Sequence, residues 1–243
     1  MLSLPYKLFL KVIDLHTTND NSTPLSSSDY DNQILNTIPY YDKFHLETIN
    51  LISTYNPKPK IWLDTGCGTG VLTEKCINRF PNTVFLLSDP SESMLQIAKE
   101  KFFNQSRVKL LEAVSTENMP KDIGYKPDVI TAIQAHHYLS AKDRSRATEV
   151  CYNLLGNDGI FVTFENISPM SQRGVEISKR YWGNYQLSKG KSKEQVEAHL
   201  ARFGKEYFPI TIEEHLKLYN NCGFKTVELL WYSYMQAGFY CIK

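Results

Sequence analysis

The sequence has little of what marks a nucleic-acid-binding or membrane protein. Its 243 residues include 27 Lys plus Arg against 26 Asp plus Glu, so the formal net charge is only +1. A polyanionic partner normally requires an excess of basic residues, and this balance argues against nucleic acid as a partner. No apolar run approaches the ~20 residues that a membrane span needs. We therefore expect a soluble chain with no membrane partner.

The cysteines are few, and their spacing matches neither a zinc site nor a disulfide framework. A zinc site or a disulfide framework would show an even set at short, regular spacings. The chain has an odd number and no Cys-x-x-Cys pair, at Cys67, Cys76, Cys151, Cys222 and Cys241. Free thiols are typical of a reducing compartment. We predict a cytoplasmic protein without a bound metal.

The length suits one large domain or two small ones, at ~150 residues per domain. Residues 17–28 lack apolar periodicity and are rich in turn-forming types, which predicts a loop or mobile segment after a short amphipathic stretch over 6–15. We expect an N-terminal arm and flexible segment over 1–39 and one main domain over 40–243.

The main domain alternates between apolar runs and stretches of helical character. Such alternation predicts an α/β fold with a mostly parallel sheet and helices on both faces. The strand candidates are 60–64, 84–89, 108–113, 128–134 and 159–164, and the helix candidates are 41–55, 71–80, 92–103 and 142–155. Two aromatic-rich runs, 225–234 and 238–243, predict a C-terminal antiparallel hairpin.

Residues 168–208 interrupt this alternation. Their second half, 192–203, begins with Ser192 as an N-cap and has Glu194 in its first turn, which predicts a helix. Ligands of open α/β sheets bind at the carboxyl ends of the strands. We therefore expect a helical insertion that acts as a lid over a bound substrate.

A strand that runs into a glycine loop is the strongest local signal. Glycines at 66, 68 and 70 permit positive φ and let a ligand approach bare backbone, beside the unpaired N–H groups of the next helix. A dinucleotide fingerprint would need glycine in place of Val71, and a P-loop would need Gly-Lys-Ser/Thr at the helix start. Neither matches. Asp64 precedes the loop, and Asp89 ends the next strand, where a carboxylate can accept from both ribose hydroxyls of an adenosine.

This joint pattern of Asp64, the glycines and Asp89 resembles the class I S-adenosylmethionine-dependent methyltransferases. The resemblance runs from about residue 40 to the C-terminus and implies a Rossmann-like, doubly wound sheet, methyl transfer, and S-adenosyl-L-methionine as cofactor. A glycine turn that serves only strand-helix packing would leave the two acids without a purpose. A non-catalytic protein that binds the cofactor as a sensor or assembly partner is the alternative of another class.

The resemblance also implies a role for each matching residue. Asp64 with the backbone of Gly66, Cys67 and Gly68 would hold the amino-acid end of the cofactor, and Asp89 would hold the ribose. The adenine would lie beside Pro90 and Met94. The acid that usually meets the adenine amine is replaced by Ser115, with Thr116 next, so this contact falls to backbone, to the Ser115 hydroxyl or to Glu117. Gln134 would face the methionine portion.

Two histidines follow the strand over 128–134. His136 is equally well explained as a hydrogen-bonded core histidine. His137 is expected near the transferred methyl group, where a neutral imidazole accepts a proton from the nucleophile or orients it. We therefore predict His137 as the catalytic residue; the protein otherwise contributes alignment and exclusion of water.

Both ends of the domain resemble one branch more closely, the carboxy-S-adenosylmethionine synthases of transfer-RNA wobble-uridine modification. The matching segments are 38–42 and 211–215, followed by 222–224 and 228–232. The resemblance implies that Tyr41 contacts the cofactor, although an aromatic that packs the first helix is the alternative. That branch pairs an arginine of its insertion with a carboxylate; here Arg202 is two places out of register and Arg180 is the alternative. Its glycine loop usually reads Gly-Cys-Ser.

These departures favour ordinary methyl transfer to a small-molecule acceptor over a carboxy-S-adenosylmethionine synthase or a transfer-RNA-modifying enzyme. For the acceptor pocket, the insertion offers aromatic residues beside cations, which suit a planar or anionic molecule. They are Arg173, Arg180, Tyr181, Trp182 and Tyr185. The alternative is that the three aromatic side chains form the buried stripe of a lid helix. The sequence does not decide between a monomer and a homodimer.

Overall fold

Strands and helices alternate through most of the chain. The structure is a computed structural model that describes residues 20, 22–23 and 25–243. The amphipathic stretch predicted over 6–15 lies outside these residues. The strands are β1 (Ile61–Thr65), β2 (Val84–Ser88), β3 (Val108–Leu110), β4 (Val129–Ile133), β5 (Ile160–Asn166), β6 (Thr226–Ser233) and β7 (Gln236–Ile242). The helices are α1 (Tyr30–Thr37), α2 (Tyr41–Tyr55), α3 (Val71–Cys76), α4 (Glu92–Lys101), α5 (Ala141–Leu154), α6 (Gln172–Ser188), α7 (Lys193–Ala201) and α8 (Ile212–Cys222).

The strands form one seven-stranded sheet in the order β3-β2-β1-β4-β5-β7-β6. Strands β1 to β5 are parallel, and β7 inserts antiparallel between β5 and β6. The predicted doubly wound α/β fold and its C-terminal antiparallel hairpin are confirmed. The strand order reverses between β1 and β4, and this switch point is where open α/β sheets bind ligands.

The central strands are buried on both sides because helices cover both faces of the sheet. Every residue of β4 and β5 is buried. One hydrophobic cluster packs α2 and α3 onto one face, around Phe44 and Trp62, and a second packs α5 and α8 onto the other, around Phe161 and Tyr219. This rigid double packing fixes the positions of the strand ends.

Helix α3 is shorter than the sequence predicts, because it ends at Cys76 rather than near residue 80. The chain continues in turns whose carbonyl groups are taken by one side chain. The Arg107 guanidinium donates to the carbonyl oxygens of Ile77, Phe80 and Thr83 at 2.8, 3.1 and 2.9 Å. A distant arginine thus stabilises the irregular end that local helix propensity does not describe.

Helix α1 lies within the predicted arm and is not predicted by the sequence pattern. It has only eight residues, and isolated helices of that length are marginal in water. Its contacts with the insertion stabilise it: the Trp182 indole donates to the carbonyl oxygen of Thr37 at 2.7 Å, and the Lys191 ammonium donates to the Thr37 hydroxyl at 2.6 Å. Tertiary contacts of this kind leave no periodic signal.

The predicted loop before α1 is irregular where it is described, and it contacts the start of α4. The Asp20 carboxylate accepts from the Ser91 hydroxyl at 2.7 Å and from the Ser93 amide at 3.2 Å. In the first turn of α1, Asp31 accepts from the Thr69 hydroxyl at 2.7 Å. The loop is therefore held against the helix that follows β2, and the start of α1 is held against the glycine loop.

The insertion folds as α6 and α7, and the helix predicted over 192–203 is present with its Ser192 cap. Trp182 is fully buried between the insertion and α1. The backbone amide of Phe208 donates to the carbonyl oxygen of His137 at 2.7 Å, which ties the end of the insertion to the turn after β4. Across the described part of the chain, no helix is long and apolar enough to cross a membrane.

Candidate active site

A cavity of about 240 Å³ opens at the carboxyl ends of β1, β2 and β4. Its lining comes from the glycine loop, the start of α4, the turns after β3 and β4, and helices α1 and α2. The structure brings together there all eleven residues that the resemblance assigns to the cofactor: Tyr41, Asp64, Gly66, Cys67, Gly68, Asp89, Pro90, Met94, Ser115, Thr116 and Gln134. Residues far apart in sequence thus share one cavity at the switch point of the sheet.

The glycine loop needs glycine for two different reasons. A Cβ on Gly66 would lie 2.6 Å from the Cβ of Ala135, so the turn after β4 leaves no space for a side chain. Gly68 also has a positive φ, of 55°, but a Cβ there would meet nothing within 4 Å. Bare backbone therefore borders open cavity at Gly68, as a ligand that lies against main-chain atoms requires.

Asp64 carries a carboxylate oxygen with no partner. Its Oδ1 accepts from the Thr131 hydroxyl at 2.7 Å, whereas its buried Oδ2 has no hydrogen-bond partner in the structure. Burial raises the pKa of Asp64 to about 7. An unpaired buried acceptor is costly, so this oxygen suits a cationic donor such as an ammonium group.

Asp89 is held in place by backbone amides on both oxygens. Its Oδ2 accepts from the Gly68 amide at 2.8 Å, and its Oδ1 accepts from the Ser91 amide at 2.9 Å. Burial raises the pKa of this carboxyl to about 6. Each oxygen keeps a further lone pair, so the residue can both brace the glycine loop and accept from a ligand hydroxyl.

The turn after β3 also contains an unpaired acceptor. The Ser115 hydroxyl donates to Oε1 of Glu117 at 2.6 Å, while the buried Oε2 of Glu117 has no hydrogen-bond partner among the residues that the structure describes. Both residues line the cavity. Because Ser115 is already bonded, Glu117 is the group of this turn that is left to accept from an amine.

One buried carboxylate organises the turn after β4. Glu165 accepts from the backbone amides of His136 and His137 at 3.2 and 2.8 Å, from Nδ1 of His137 at 2.7 Å and from the Thr163 hydroxyl at 2.7 Å. Burial would raise the pKa of Glu165, but the hydrogen bond and charge of His137 outweigh it and bring the pKa to about 2. Gln134 starts this turn with a φ of 58°, a conformation that is strained for a side chain other than glycine.

The two histidines of the turn lie in different places. His136 lines the cavity, and its Nε2 lies 3.1 Å from the Thr116 hydroxyl. Burial lowers the pKa of His136, which keeps its ring neutral at pH 7. His137 lies behind the wall with 1% exposure, and its Nε2 is 3.1 Å from the Asn166 amide nitrogen. The turn therefore presents His136 to the cavity and points His137 at Glu165, so the catalytic assignment of His137 stays a prediction.

None of the four residues predicted to bind the acceptor lines this cavity, and three of them line no neighbouring cavity either. Arg180 is exposed, Tyr181 is 55% exposed and stacks on Tyr234 at 4.1 Å, and the Tyr185 hydroxyl donates to the carbonyl oxygen of Leu35 at 2.7 Å. Only Trp182 of the aromatic stripe is fully buried. The spacing places these residues on one helix but does not say which part of the fold they contact.

Arg202, the fourth, borders a cavity of about 30 Å³ beside the larger one. The two cavities share Thr23, Tyr30, Gln134 and Tyr138, so Arg202 and Tyr138 border the same small cavity. Tyr30, Tyr138 and Tyr207 are site residues that the sequence analysis does not single out. Tyr30 belongs to the polar arm and Tyr207 ends the insertion, and neither stands in a motif.

The comparisons with known proteins agree with this geometry. Residues 63–161 match a family described as a methyltransferase domain. A carboxy-S-adenosyl-L-methionine synthase of Campylobacter lari is 25% identical over 206 residues, which cover 83% of this chain and 85% of that protein. The protein of the same name in Nautilia profundicola is 23% identical over 226 residues and covers 93% and 94%. A crystal structure of a putative O-methyltransferase from Nostoc punctiforme has a TM-score of 0.64 at 16% identity, over 89% of this chain and 60% of that longer chain.

Proposed function

We propose that this enzyme transfers a methyl group to a small-molecule acceptor bound beneath the insertion over 168–208. The chain carries a methyltransferase domain, and its cofactor is S-adenosyl-L-methionine. The observation that carries the proposal is the cavity at the switch point between β1 and β4. It combines a glycine loop with open backbone and two buried carboxylate oxygens that lack donors. An amino-acid ammonium group and an adenine amine would donate hydrogen bonds to these two oxygens.

The amino-acid end of the cofactor would lie against Asp64 and the backbone of Gly66, Cys67 and Gly68. The unpaired Oδ2 of Asp64 would receive the ammonium group, and its charge would lower the raised pKa of this carboxyl. The residues at the far end of the methionine portion would be Gln134 and Tyr41. Tyr41 and Tyr30 both line the cavity, so the arm would contribute to the same wall.

The nucleoside would occupy the side of the cavity at the carboxyl ends of β2 and β3. Asp89 would accept from the ribose hydroxyls with lone pairs that its backbone bonds leave over. Pro90 and Met94 would contact the adenine, and Glu117 would accept from its amine, with Ser115 and Thr116 beside it. This gives the replaced family acid a substitute two positions later in the same turn.

Methyl transfer asks little chemistry of the protein side chains, because bound S-adenosyl-L-methionine supplies an already activated methyl group. The protein must align the acceptor, exclude water and take the proton of a protic nucleophile. His136 is the neutral imidazole on the cavity side and would take that proton. We propose His137 as a positioning residue that, with Glu165, fixes the turn carrying Gln134 and His136.

We propose that residues 1–39 form an arm, that residues 40–243 form the catalytic domain, and that the insertion closes over the acceptor. Support comes from the contacts of Trp182 with α1 and of Phe208 with the turn after β4. Arg202 is the acceptor-side cation that borders the cavities. Arg180, Tyr181 and Tyr185 would take part only in a more closed arrangement of the lid.

Two measurements test this function. Calorimetric titration with S-adenosyl-L-methionine and S-adenosylhomocysteine should give binding of both, and failure of both to bind would overturn the proposal. A mass-spectrometric screen should then find metabolites that gain a methyl group only when protein and cofactor are both present. An Asp89→Ala protein serves as the matched control, since it should produce no methylated metabolite.

A carboxy-S-adenosyl-L-methionine synthase is the second candidate. The alignments to proteins of that name extend over 83% and 93% of this chain, well beyond the methyltransferase domain itself. Arg202 also borders the small cavity that shares Tyr138 with the cofactor cavity, and a guanidinium there would suit a carboxylate. Mass spectrometry of the cofactor after incubation with organic acids separates the two activities, because only the second yields a carboxylated cofactor.

A further inference from the structure

A third cavity, of about 440 Å³, opens between α1 and the loop that joins α6 to α7. We call it the basic mouth. Its polar lining consists of cations, carboxamides and the neutral His199, and no acid is among the described residues that line it. The residues that carry the argument are Lys189, Lys191 and Arg202, with the amides of Gln33, Asn36 and Gln195. Neither lysine has a part in the site proposed above, whereas Arg202 borders both the basic mouth and the small cavity beside that site.

The cations of the basic mouth differ in the hydrogen-bond and ion-pair partners that they already have. Arg202 pairs with Glu206 at 2.5 Å and donates to the Ser22 carbonyl oxygen at 2.7 Å. Lys191 donates to the Thr37 hydroxyl, and Lys189 lies over the Tyr185 ring at 5.5 Å. Within the residues that the structure describes, neither ammonium group has a carboxylate partner.

The acids nearest to this loop in sequence are bonded elsewhere. The Glu194 carboxylate accepts from the Ser192 hydroxyl at 2.7 Å, and Glu197 lies 3.8 Å from the Lys193 ammonium. Two lysines therefore line one opening, and among the described residues neither is paired with a carboxylate. Such a concentration of one charge in a concave surface attracts an anion of opposite sign.

We infer that the basic mouth binds the phosphate group of a small phosphate monoester. A phosphate monoester carries about −1.5 to −2 charges at pH 7 and three acceptor oxygens, which match two ammonium groups and several amide donors. A single carboxylate would leave one ammonium uncompensated. Lysines act as point charges on phosphate, whereas the planar arginine fork that suits a carboxylate is already engaged here.

The position of the basic mouth connects it to the cofactor cavity. The small cavity beside Arg202 shares Leu25, His199 and Arg202 with the mouth, and shares Tyr30, Gln134 and Tyr138 with the cofactor cavity. A phosphate bound between Gln33 on α1 and the lysines of the insertion would hold these two elements together. Its effect on cofactor affinity rests on the function proposed above, whereas the binding of phosphate does not.

Calorimetric titration with glycerol 3-phosphate tests the site directly. Replacing both lysines (Lys189→Gln with Lys191→Gln) should weaken its binding by about tenfold or more, since about 1.4 kcal/mol corresponds to that factor. Lys193→Gln is the control: it removes one positive charge at the start of α7, next to the loop, but Lys193 does not line the mouth and lies 3.8 Å from Glu197. Its affinity for glycerol 3-phosphate should stay within about twofold of wild type.

Malonate, a dicarboxylate, serves as the competing probe. Equal affinity for malonate and glycerol 3-phosphate would overturn the phosphate assignment, and equal affinity of the double variant and the Lys193→Gln control would overturn the site. Far-ultraviolet circular dichroism shows that each variant is folded, and titration with S-adenosylhomocysteine reports separately on the cofactor site. Wild-type protein that binds glycerol 3-phosphate but not S-adenosylhomocysteine would contradict the proposed function alone, and the reverse result would contradict the phosphate site alone.

Discussion

The two sides of the cavity differ in how the chain builds them. On the cofactor side, the lining comes from short segments that directly follow β1, β2, β3 and β4, and every residue expected there lines the cavity. On the acceptor side, the walls come from the arm and the insertion, and only Arg202 of the four expected residues borders the cavities. A site built at strand ends is readable from local motifs, whereas a site built between remote segments is not.

The largest expected effect is on the cofactor side. Replacing Asp89 with alanine removes the ribose acceptor and the brace of the Gly68 amide, so we expect the dissociation constant for S-adenosylhomocysteine to rise ~100-fold or more, from the loss of two charge-assisted hydrogen bonds. Calorimetry measures it, with the exposed Asp122→Ala as control. Affinity within about threefold of wild type would mean that the two sides do not differ as described.

Asp64→Asn should have the next largest effect: it should weaken cofactor binding and stabilise the cofactor-free protein at pH 8. Loss of the charge should weaken S-adenosylhomocysteine binding by ~10-fold or more. The Asp64 pKa is raised to about 7, so the stability contributed by its neutral form is fully present below the unfolded value of 3.8 and is lost as the pH rises through 7. The cofactor-free variant should therefore unfold at higher urea concentration than wild type at pH 8, and at a similar concentration at pH 4.

His137→Ala should separate binding from turnover. Its ring lies behind the cavity wall and bonds to Glu165, so cofactor affinity should stay within about threefold while turnover of the acceptor falls ~10-fold through misplacement of the turn. Titration and rate measurements on the same sample give both values. Normal turnover would remove His137 from the mechanism, and lost cofactor affinity would assign it to the cofactor side.

The same pair predicts a pH effect on stability. The lowered Glu165 pKa means that its ionised form stabilises the fold above the unfolded value of 4.5, and that this stabilisation disappears as the pH falls through about 2. Glu165→Gln should therefore be less stable than wild type at pH 7, and the difference should shrink below pH 4.5. A difference that stays constant between pH 7 and pH 3 in urea titrations would contradict the pairing.

The smallest effect is expected on the outer face of the insertion. Arg180→Ala and Tyr181→Ala should change turnover by less than about threefold, because both side chains are exposed and lie outside the cavities. Trp182→Ala is the contrasting substitution, since it opens a buried contact with α1. A tenfold loss of turnover for Arg180→Ala would show instead that the lid closes far enough to bring this face to the acceptor.

The sequence predicts the sheet well because its signals are local. All seven strands appear close to their predicted positions, and the fifteen residues of α2 match the predicted helix. Helix α1 escapes prediction because its stability comes from Trp182 and Lys191, more than 140 residues away. Which of the two histidines faces the cavity could not be predicted, because their orientation depends on Glu165 of the next strand. The unpaired oxygen of Glu117 could not be predicted either, because it results from the folded geometry of the turn after β3.

Trp182 also gives the protein an optical reporter. Its indole is fully buried and donates to the Thr37 carbonyl oxygen, at the junction of arm and insertion, whereas Trp62 lies in the core and Trp231 lies on β6. Separation of the junction would expose this indole to water and shift its fluorescence to longer wavelength. The difference between the emission of wild type and Trp182→Phe isolates that signal, so opening and closing can be followed in stopped flow without any added dye.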